Sequence, residues 1–262
     1  MKKVCIIIGI LFYCIFTVQA QLQERVSVVD STSLIVYSQF EFSYNFPLAD
    51  LRTDYHNFMS VGTGVDVKTD KNFIFGFHFN YQFGGKVRGE TLNESFKELI
   101  AKGTNYFIDQ KGVANNELSV DYRGLYFNFV FGKIFPVSKY YRNSGIIVEG
   151  GVGVLQHYMH ITNPNNAILS LKGEYSKGYD KLTLGFSLYQ FIGYQHITKR
   201  NLLCFYGGIE FSEIFSKRQR QYDFNLMKKD DNSYFESFIG LKFGWIIPLY
   251  KHNPHRIFQS RF

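Results

Sequence analysis

Apolar and polar residues alternate along short stretches of this chain, and the clearest stretch is residues 72–84. One face of it carries Phe73, Phe75, Phe77, Phe79, Tyr81 and Phe83, and the other carries Ile74, Gly76, His78, Asn80 and Gln82. A period of two is typical of a β-strand. Similar alternation recurs at residues 33–46, 58–68, 124–132, 144–158, 184–196, 202–215 and 234–250. The pattern therefore predicts eight strands, each long enough to cross a membrane, which takes roughly 9 to 11 residues.

The residue types on the two faces indicate which face is the outside. Large apolar side chains fill one face, whereas Gly, Asn, Gln, Ser and Tyr fill the other with few charges. The interior of an eight-stranded barrel is only just wide enough for its own side chains, so it has no room for the Phe face. We therefore predict an all-β fold, an eight-stranded antiparallel transmembrane β-barrel in an up-and-down meander, with Phe towards lipid.

The predicted connections differ in length in a regular way. Short connections fall at residues 69–71, 136–143 and 198–201, long ones fall at 85–118, 161–183 and 216–233, and the first, at 47–57, is intermediate. This alternation is expected when both chain ends lie in the periplasm.

A short helix is predicted in the second outer loop, which is the third connection. Thr91-Leu92-Asn93-Glu94 has the form of a capping box, which marks a helix start. The residues expected on one face of this helix are Leu92, Phe96, Leu99 and Ile100.

The N-terminus has the order of a secretory signal. Lys2 and Lys3 precede an apolar run over residues 4–18, and Ala20 follows. We expect cleavage after Ala20, although a membrane-anchor helix is an alternative. The expected organisation is a signal peptide at residues 1–20, a periplasmic segment at 21–32, an outer-membrane barrel at 33–250 and a periplasmic tail at 251–262.

Composition and charge narrow the classes of partner. Aromatic residues make up 18% of the chain, and the formal net charge is +7. The basic residues follow no single stripe and no nucleic-acid motif is present, so attraction to an anionic membrane surface fits better than nucleic-acid binding. After cleavage only Cys204 remains, which excludes an internal disulfide and a Cys-based metal site. We expect no cofactor, no metal and no nucleic-acid partner.

Charged residues at inward strand positions are the first candidate site. The predicted lumen ion-pair network comprises Glu41, Lys242, Glu149, Glu210, Glu236 and His78, and Asp66, Lys68 and His157 also face inward. Buried charges are costly unless paired, and the first and last strands must be neighbours, so we predict a Glu41–Lys242 pair. The network either fills and rigidifies the lumen or forms a narrow cation-preferring channel.

The seventh connection supplies a second candidate site. Its outer-rim basic patch is Lys217, Arg218, Arg220, Lys228 and Lys229. Such side chains suit the phosphates of outer-membrane lipid and lipopolysaccharide, although a solvated hairpin tip has the same composition.

A lipid-modifying barrel enzyme is the alternative from another class of function. It would use His157, His160, Ser170 and Glu174, but nothing in the sequence fixes these as a triad. We therefore predict no catalytic residues.

The strand pattern resembles that of the small outer-membrane barrels of OmpA- and OmpX-like architecture. The Phe- and Tyr-rich strands and the Gln-initiated mature end are similar to PorT-like barrels of Bacteroidota. In the last strand, Lys242, Gly244, Ile247 and Leu249 match the assembly signal that the barrel-assembly machinery reads in such proteins, although here a tail follows it. The resemblance implies a structural or accessory role in the cell envelope, with an envelope protein as partner and a link to type IX secretion.

Overall fold

The structure is a computed structural model, and it describes residues 34–97, 99–100, 107–108, 114–115, 118–138, 143–164, 168–197, 204–224 and 226–249. The expected signal peptide, the segment at 21–32 and the tail at 251–262 lie outside the described residues.

Eight long strands close into one barrel. They are β1 (Ile35–Leu48), β2 (Phe58–Lys68), β3 (Phe73–Lys86), β6 (Ser119–Pro136), β7 (Gly145–Thr162), β8 (Thr183–His196), β9 (Phe205–Arg218) and β10 (Ser233–Leu249). Two short strands, β4 (Phe107–Ile108) and β5 (Ala114–Asn115), pair within the connection from β3 to β6. Around the ring the order is β1-β10-β9-β8-β7-β6-β3-β2, and the neighbouring strands are antiparallel. The predicted eight-stranded antiparallel meander is confirmed.

The helical segments lie in the connections at one end of the barrel. Helix α1 (Ala49–Asp54) joins β1 to β2, α2 (Gly89–Ser95) follows β3, and 3-10 turns at Leu169–Leu171 and Gly173–Gly178 lie between β7 and β8. We call this the loop end, and we call the opposite end, where β1 begins and β10 finishes, the terminal end. Among the described residues, no helix is long and apolar enough to span a membrane.

Helix α2 confirms a short helix in this loop, but the predicted start was wrong. The helix begins at Gly89, and Arg88 at its N-cap makes no side-chain capping bond. Thr91 lies inside the helix, where its hydroxyl donates to the Thr53 carbonyl at 3.0 Å and to the Asp54 carboxylate at 3.1 Å. The Thr91 side chain therefore ties α2 to the end of α1.

The two faces of the sheet separate as the sequence predicts. Phe77 and Phe129 are register partners on β3 and β6, and each is 54% exposed on the outside. Their neighbours His78 and Asn128 are also partners, and each is 1% exposed on the inside. An apolar exterior around a polar interior satisfies the backbone and the side chains only when the exterior meets lipid, so the fold is a transmembrane β-barrel.

Two outward cations on β6 bracket the apolar belt. Arg123 lies near the loop end and Lys133 near the terminal end, and Leu125, Phe127, Phe129 and Phe131 lie between them. At 3.3 Å per residue and a tilt of about 40°, ten residues rise by roughly 25 Å, which is the height of a barrel's apolar band. The Lys133 ammonium lies 4.7 Å from the ring centroid of Phe73. The two cations are therefore separated by about the height of such a band, and the exposed Phe135 lies beyond Lys133.

Candidate functional site: a charged lumen and a capped mouth

The centre of the lumen is organised around Glu41 on β1. Its Oε2 lies 3.1 Å from Lys242 Nζ on β10. The two residues are diagonal neighbours, because Glu41 is opposite Gly244 and Lys242 is opposite Ser43 in the register. A Cβ at Gly244 would run into the Tyr206 ring, so the glycine makes room for that ring. The Tyr206 hydroxyl in turn donates to Glu41 Oε1 at 2.9 Å.

Lys242 joins four strands of the barrel. Its Nζ lies 3.1 Å from Glu210 Oε2 on β9, besides its contact with Glu41 on β1. It also donates to the Tyr189 hydroxyl on β8 at 3.0 Å and lies 4.9 Å from the centroid of that ring. One buried ammonium therefore satisfies two carboxylates and crosses the lumen.

His78 on β3 connects this centre to β2. Its Nδ1 lies 3.0 Å from Glu41 Oε1, and its Nε2 lies 2.9 Å from Asp66 Oδ1. Gln39 Nε2 also lies 2.8 Å from His78 Nε2. The central cluster therefore contains the carboxylates of Glu41, Asp66 and Glu210, the Lys242 ammonium and the His78 imidazole.

The remaining predicted lumen residues do not join that cluster. Glu236 pairs with His157 instead, at 3.0 Å between Oε2 and Nε2. Glu149 is 6% exposed and has no ion-pair partner within the described part of the chain. Lys68 donates to the Thr69 carbonyl at 3.2 Å, near the terminal end. The predicted single network is thus a central cluster and a separate His157–Glu236 pair, and Glu149 makes no ion pair with either among the described residues.

Aromatic rings close the loop-end half of the lumen, which the alternating pattern does not predict. The aromatic plug consists of Tyr55, Phe58, Tyr122 and Phe238, each 1% exposed or less. Ring centroids lie 4.8 Å apart for Tyr55 and Tyr122, 4.6 Å for Phe58 and Tyr122, and 5.5 Å for Phe58 and Phe238. Burial raises the pKa of Tyr55 well above its usual range. The sequence signal that could have predicted this plug is the presence of Phe58 and Phe238 at inward positions of β2 and β10.

A second polar group, the mouth clasp, ties the connections of the loop end together next to the plug. It consists of Asp54, Lys181, Thr183 and Arg218. Arg218 Nη2 lies 3.1 Å from Asp54 Oδ2, and its Nη1 donates to Thr183 Oγ1 at 2.8 Å and to the Lys181 carbonyl at 2.9 Å. Burial lowers the pKa of Lys181, while the nearby Asp54 carboxylate acts in the opposite direction. The mouth clasp therefore joins three connections: the one that contains α1, the one that leads into β8 and the one that follows β9.

The structure does not assemble the predicted outer-rim basic patch as one cationic surface. Arg218 points into the mouth, and Arg220 pairs with the Asp180 carboxylate, whose hydrogen bond raises the pKa of Arg220. Lys229 pairs with Asp231 at 2.6 Å, while Lys217 and Lys228 are exposed. An open groove of about 800 Å³ along this hairpin is lined by Lys217, Arg218, Gln219, Gln221, Lys229, Asp230 and Asp231. Three of the five cations, Arg218, Arg220 and Lys229, are therefore paired with carboxylates.

Two of the four residues that a barrel enzyme would use have other partners. His157 Nε2 contacts Glu236, and Glu174 pairs with Lys177 at 2.6 Å on the surface. Within the described ranges, no three His, Cys, Asp or Glu side chains are placed to hold a metal ion.

The predicted assembly signal occupies both faces of β10. Lys242 and Gly244 face the lumen, and Ile247 and Leu249 face outward at the terminal end, where Leu249 is opposite Val36. Only the outward pair is thus accessible from the membrane side.

The class of protein follows from this geometry: a small transmembrane β-barrel whose lumen is filled by ion pairs and aromatic rings. No family model and no curated protein matches the sequence. The chain is similar in structure to Neisserial surface protein A (9% identity, TM-score 0.42), and the match covers 81% of this chain and 96% of that one. It is also similar to Ail, the attachment invasion locus protein of Yersinia pestis (11%, TM-score 0.40, covering 82% and 99%). A third similar structure is a major outer membrane protein from Thermus thermophilus (8%, TM-score 0.43, covering 82% and 99%).

Proposed function

We propose that this protein is an integral outer-membrane barrel with a closed lumen, which serves as a structural or accessory component of the cell envelope. The observation that carries the proposal is the central cluster. Glu41, Lys242 and Glu210 are each 4% exposed or less and join neighbouring strands across the lumen. An eight-stranded barrel has room for interior side chains but for little else, so paired charges rigidify it rather than line a pore.

The connections support an orientation with the loop end outside the cell. Long connections lie at the loop end, and a four-residue turn at the terminal end joins β2 to β3, with Thr69 N donating to the Phe73 carbonyl at 2.8 Å. Outer-membrane barrels have short periplasmic turns and longer outer loops. Export through the signal at residues 1–20 and insertion by the barrel-assembly machinery belong to the same proposal.

The accessory role requires a partner in the envelope. The Phe- and Tyr-rich strands, which resemble PorT-like barrels, support a search among secretion and assembly complexes, including type IX secretion. The mouth clasp supports this role too, because it holds the outer connections in one arrangement and so presents a fixed surface. Purification from native envelopes in mild detergent tests for such a subunit: a stable co-eluting complex is expected, and a barrel that always elutes alone would contradict the accessory role.

Conductance separates a closed barrel from a channel. The purified full chain, reconstituted in planar bilayers, should show no discrete conductance steps. An open outer-membrane porin reconstituted in the same bilayers is the control for detection, because it should give clear conductance steps. Regular conductance by the unaltered protein would show that the lumen is a channel and would refute the proposal.

A further inference from the structure

Two cations lie near each other on the outward face of the barrel, at its loop end. Lys86 on β3 is exposed and Arg123 on β6 is half-buried, and both side chains lie on the outward face. Within the described part of the chain, neither makes a hydrogen bond or an ion pair. Arg218 and Arg220, by comparison, both bind carboxylates.

A β-bulge turns Lys86 to the outside. In β3 the odd-numbered residues up to Phe83 face outward, so Lys86 would face the lumen in a regular strand. The register shifts between Phe83 and Lys86, and Gly84 has a φ of 91°. An extra residue in one strand reverses the faces beyond it, and glycine tolerates this φ without strain. The bulge therefore delivers a second cation to the face that already carries Arg123.

The two cations lie at the edge of the apolar belt. Lys86 is opposite Asp121, and Phe83 is opposite Arg123. Lys86 and Arg123 are therefore diagonal neighbours on one face, a relation that places two residues about 7–8 Å apart along the backbone of the sheet. Leu125 follows next on the outward face of β6, towards the centre of the belt. Lys133 lies roughly 25 Å away, towards the terminal end. The pair thus lies at the height of lipid headgroups.

We propose that Lys86 and Arg123 bind a phosphate of an outer-leaflet lipid, with its acyl chains lying along Phe83, Leu125 and Phe127. The inference rests on the proposed orientation in the outer membrane. A guanidinium binds two phosphate oxygens in a planar fork, and an ammonium adds a point charge. Tyr158, opposite Arg123 on β7, supplies a hydroxyl at the same edge.

The surroundings limit the site to a single headgroup phosphate with an apolar anchor. Asp121 lies directly opposite Lys86 in the register and also pairs with His160 on β7, and its Oδ2 accepts from Ser119 at 3.3 Å. This carboxylate disfavours a second anion on the loop-end side of the pair, whereas the belt on the other side attracts acyl chains. A free phosphate gains nothing from the belt and should bind weakly.

The test uses the full chain purified in a neutral detergent, with bisphosphorylated lipid A as the probe. Native mass spectrometry gives the fraction of barrel that carries lipid at each concentration. The unaltered protein should bind this lipid about tenfold more tightly than the same lipid without its phosphates. The variant K86Q/R123Q should lose that preference. The single variants K86Q and R123Q should each lose part of the preference, and they provide the test if the double variant fails to fold.

The matched control is K71Q/K133Q, which removes the same charge from exposed Lys71 and from Lys133 near the terminal end. It should keep the phosphate preference. Equal preference in K86Q/R123Q and the control would overturn the site, as would equal binding of the phosphate-free lipid. Displacement of lipid A by inorganic phosphate alone would identify a simple anion site and also overturn the proposal. Because binding and conductance are separate readouts, a conducting barrel would refute the closed lumen without deciding this site.

Discussion

Glu41 and Lys242 form a salt bridge of 3.1 Å between the first and last strands of the barrel, although neither is opposite the other in the register. The diagonal contact depends on the strand order, since β1 and β10 become neighbours only when the sheet closes. The closing seam therefore carries a buried charge pair whose partners are 201 residues apart in the chain.

Removing the cation of this pair should be costly. The substitution Lys242→Met leaves Glu41 and Glu210 buried without their ammonium, and we expect a loss of about 3–5 kcal/mol in the free energy of unfolding. The variant E41Q/K242M/E210Q should recover much of this loss, because no unpaired charge remains. Urea titration of barrels folded in lipid vesicles measures both, and equal destabilisation of the two variants would argue against a charge-paired lumen.

Asp54 should hold the mouth clasp together. In Asp54→Asn, Arg218 loses its carboxylate partner, and we expect a destabilisation of about 2 kcal/mol together with faster hydrogen exchange in α1. Asp231→Asn is the control: its partner Lys229 is exposed, so the loss should be below about 1 kcal/mol. Unchanged exchange at the loop end in Asp54→Asn would mean that the clasp does not restrain the outer connections.

The aromatic plug should contribute to stability in a way that the exterior rings do not. In F58A/F238A the truncated rings leave a cavity, and each truncation should cost about 3–5 kcal/mol. In F129A/F243A acyl chains can fill the space of the exposed rings, so the loss should be clearly smaller. Urea titration in vesicles measures the difference, and equal losses in the two variants would contradict the assignment of inside and outside.

The end of β10 should act in assembly more than in stability. Ile247→Asn with Leu249→Asn alters the predicted signal, and we expect slower insertion by the assembly machinery in cells. Ile239→Asn with Leu241→Asn makes the same chemical change higher on the outward face of the strand and should slow insertion less. Pulse-labelling followed by a folding-dependent gel shift reports the rates, and identical delays would show that this segment has no special role.

The faces of the strands could be predicted from the sequence because the period of two repeats over many residues. In β3, six outward aromatic residues alternate with smaller or polar ones, which fixes both the strand and its orientation. The Glu41–Lys242 contact followed from closure alone, since an antiparallel meander must bring its first and last strands together.

The loop end could not be predicted in the same way. Helix α1 has six residues, too few to show a helical period, and it forms where the chain turns into the mouth. The basic run around Arg218 predicts a surface position, but Arg218 is the last residue of β9 and faces inward. Phe58 and Phe238 face inward despite being aromatic, and their rings contact each other in the loop-end half of the lumen.

The most direct test of the account asks whether the Phe face meets lipid. Trp245 is the single tryptophan of the chain, so the variant F129W/W245F places one fluorophore midway along the outward face of β6. In vesicles of lipids brominated deep in the acyl chain, its emission should be strongly quenched, and acrylamide in the water should have little effect. Quenching by acrylamide with no response to the brominated lipids would place Phe129 in water and contradict the transmembrane orientation.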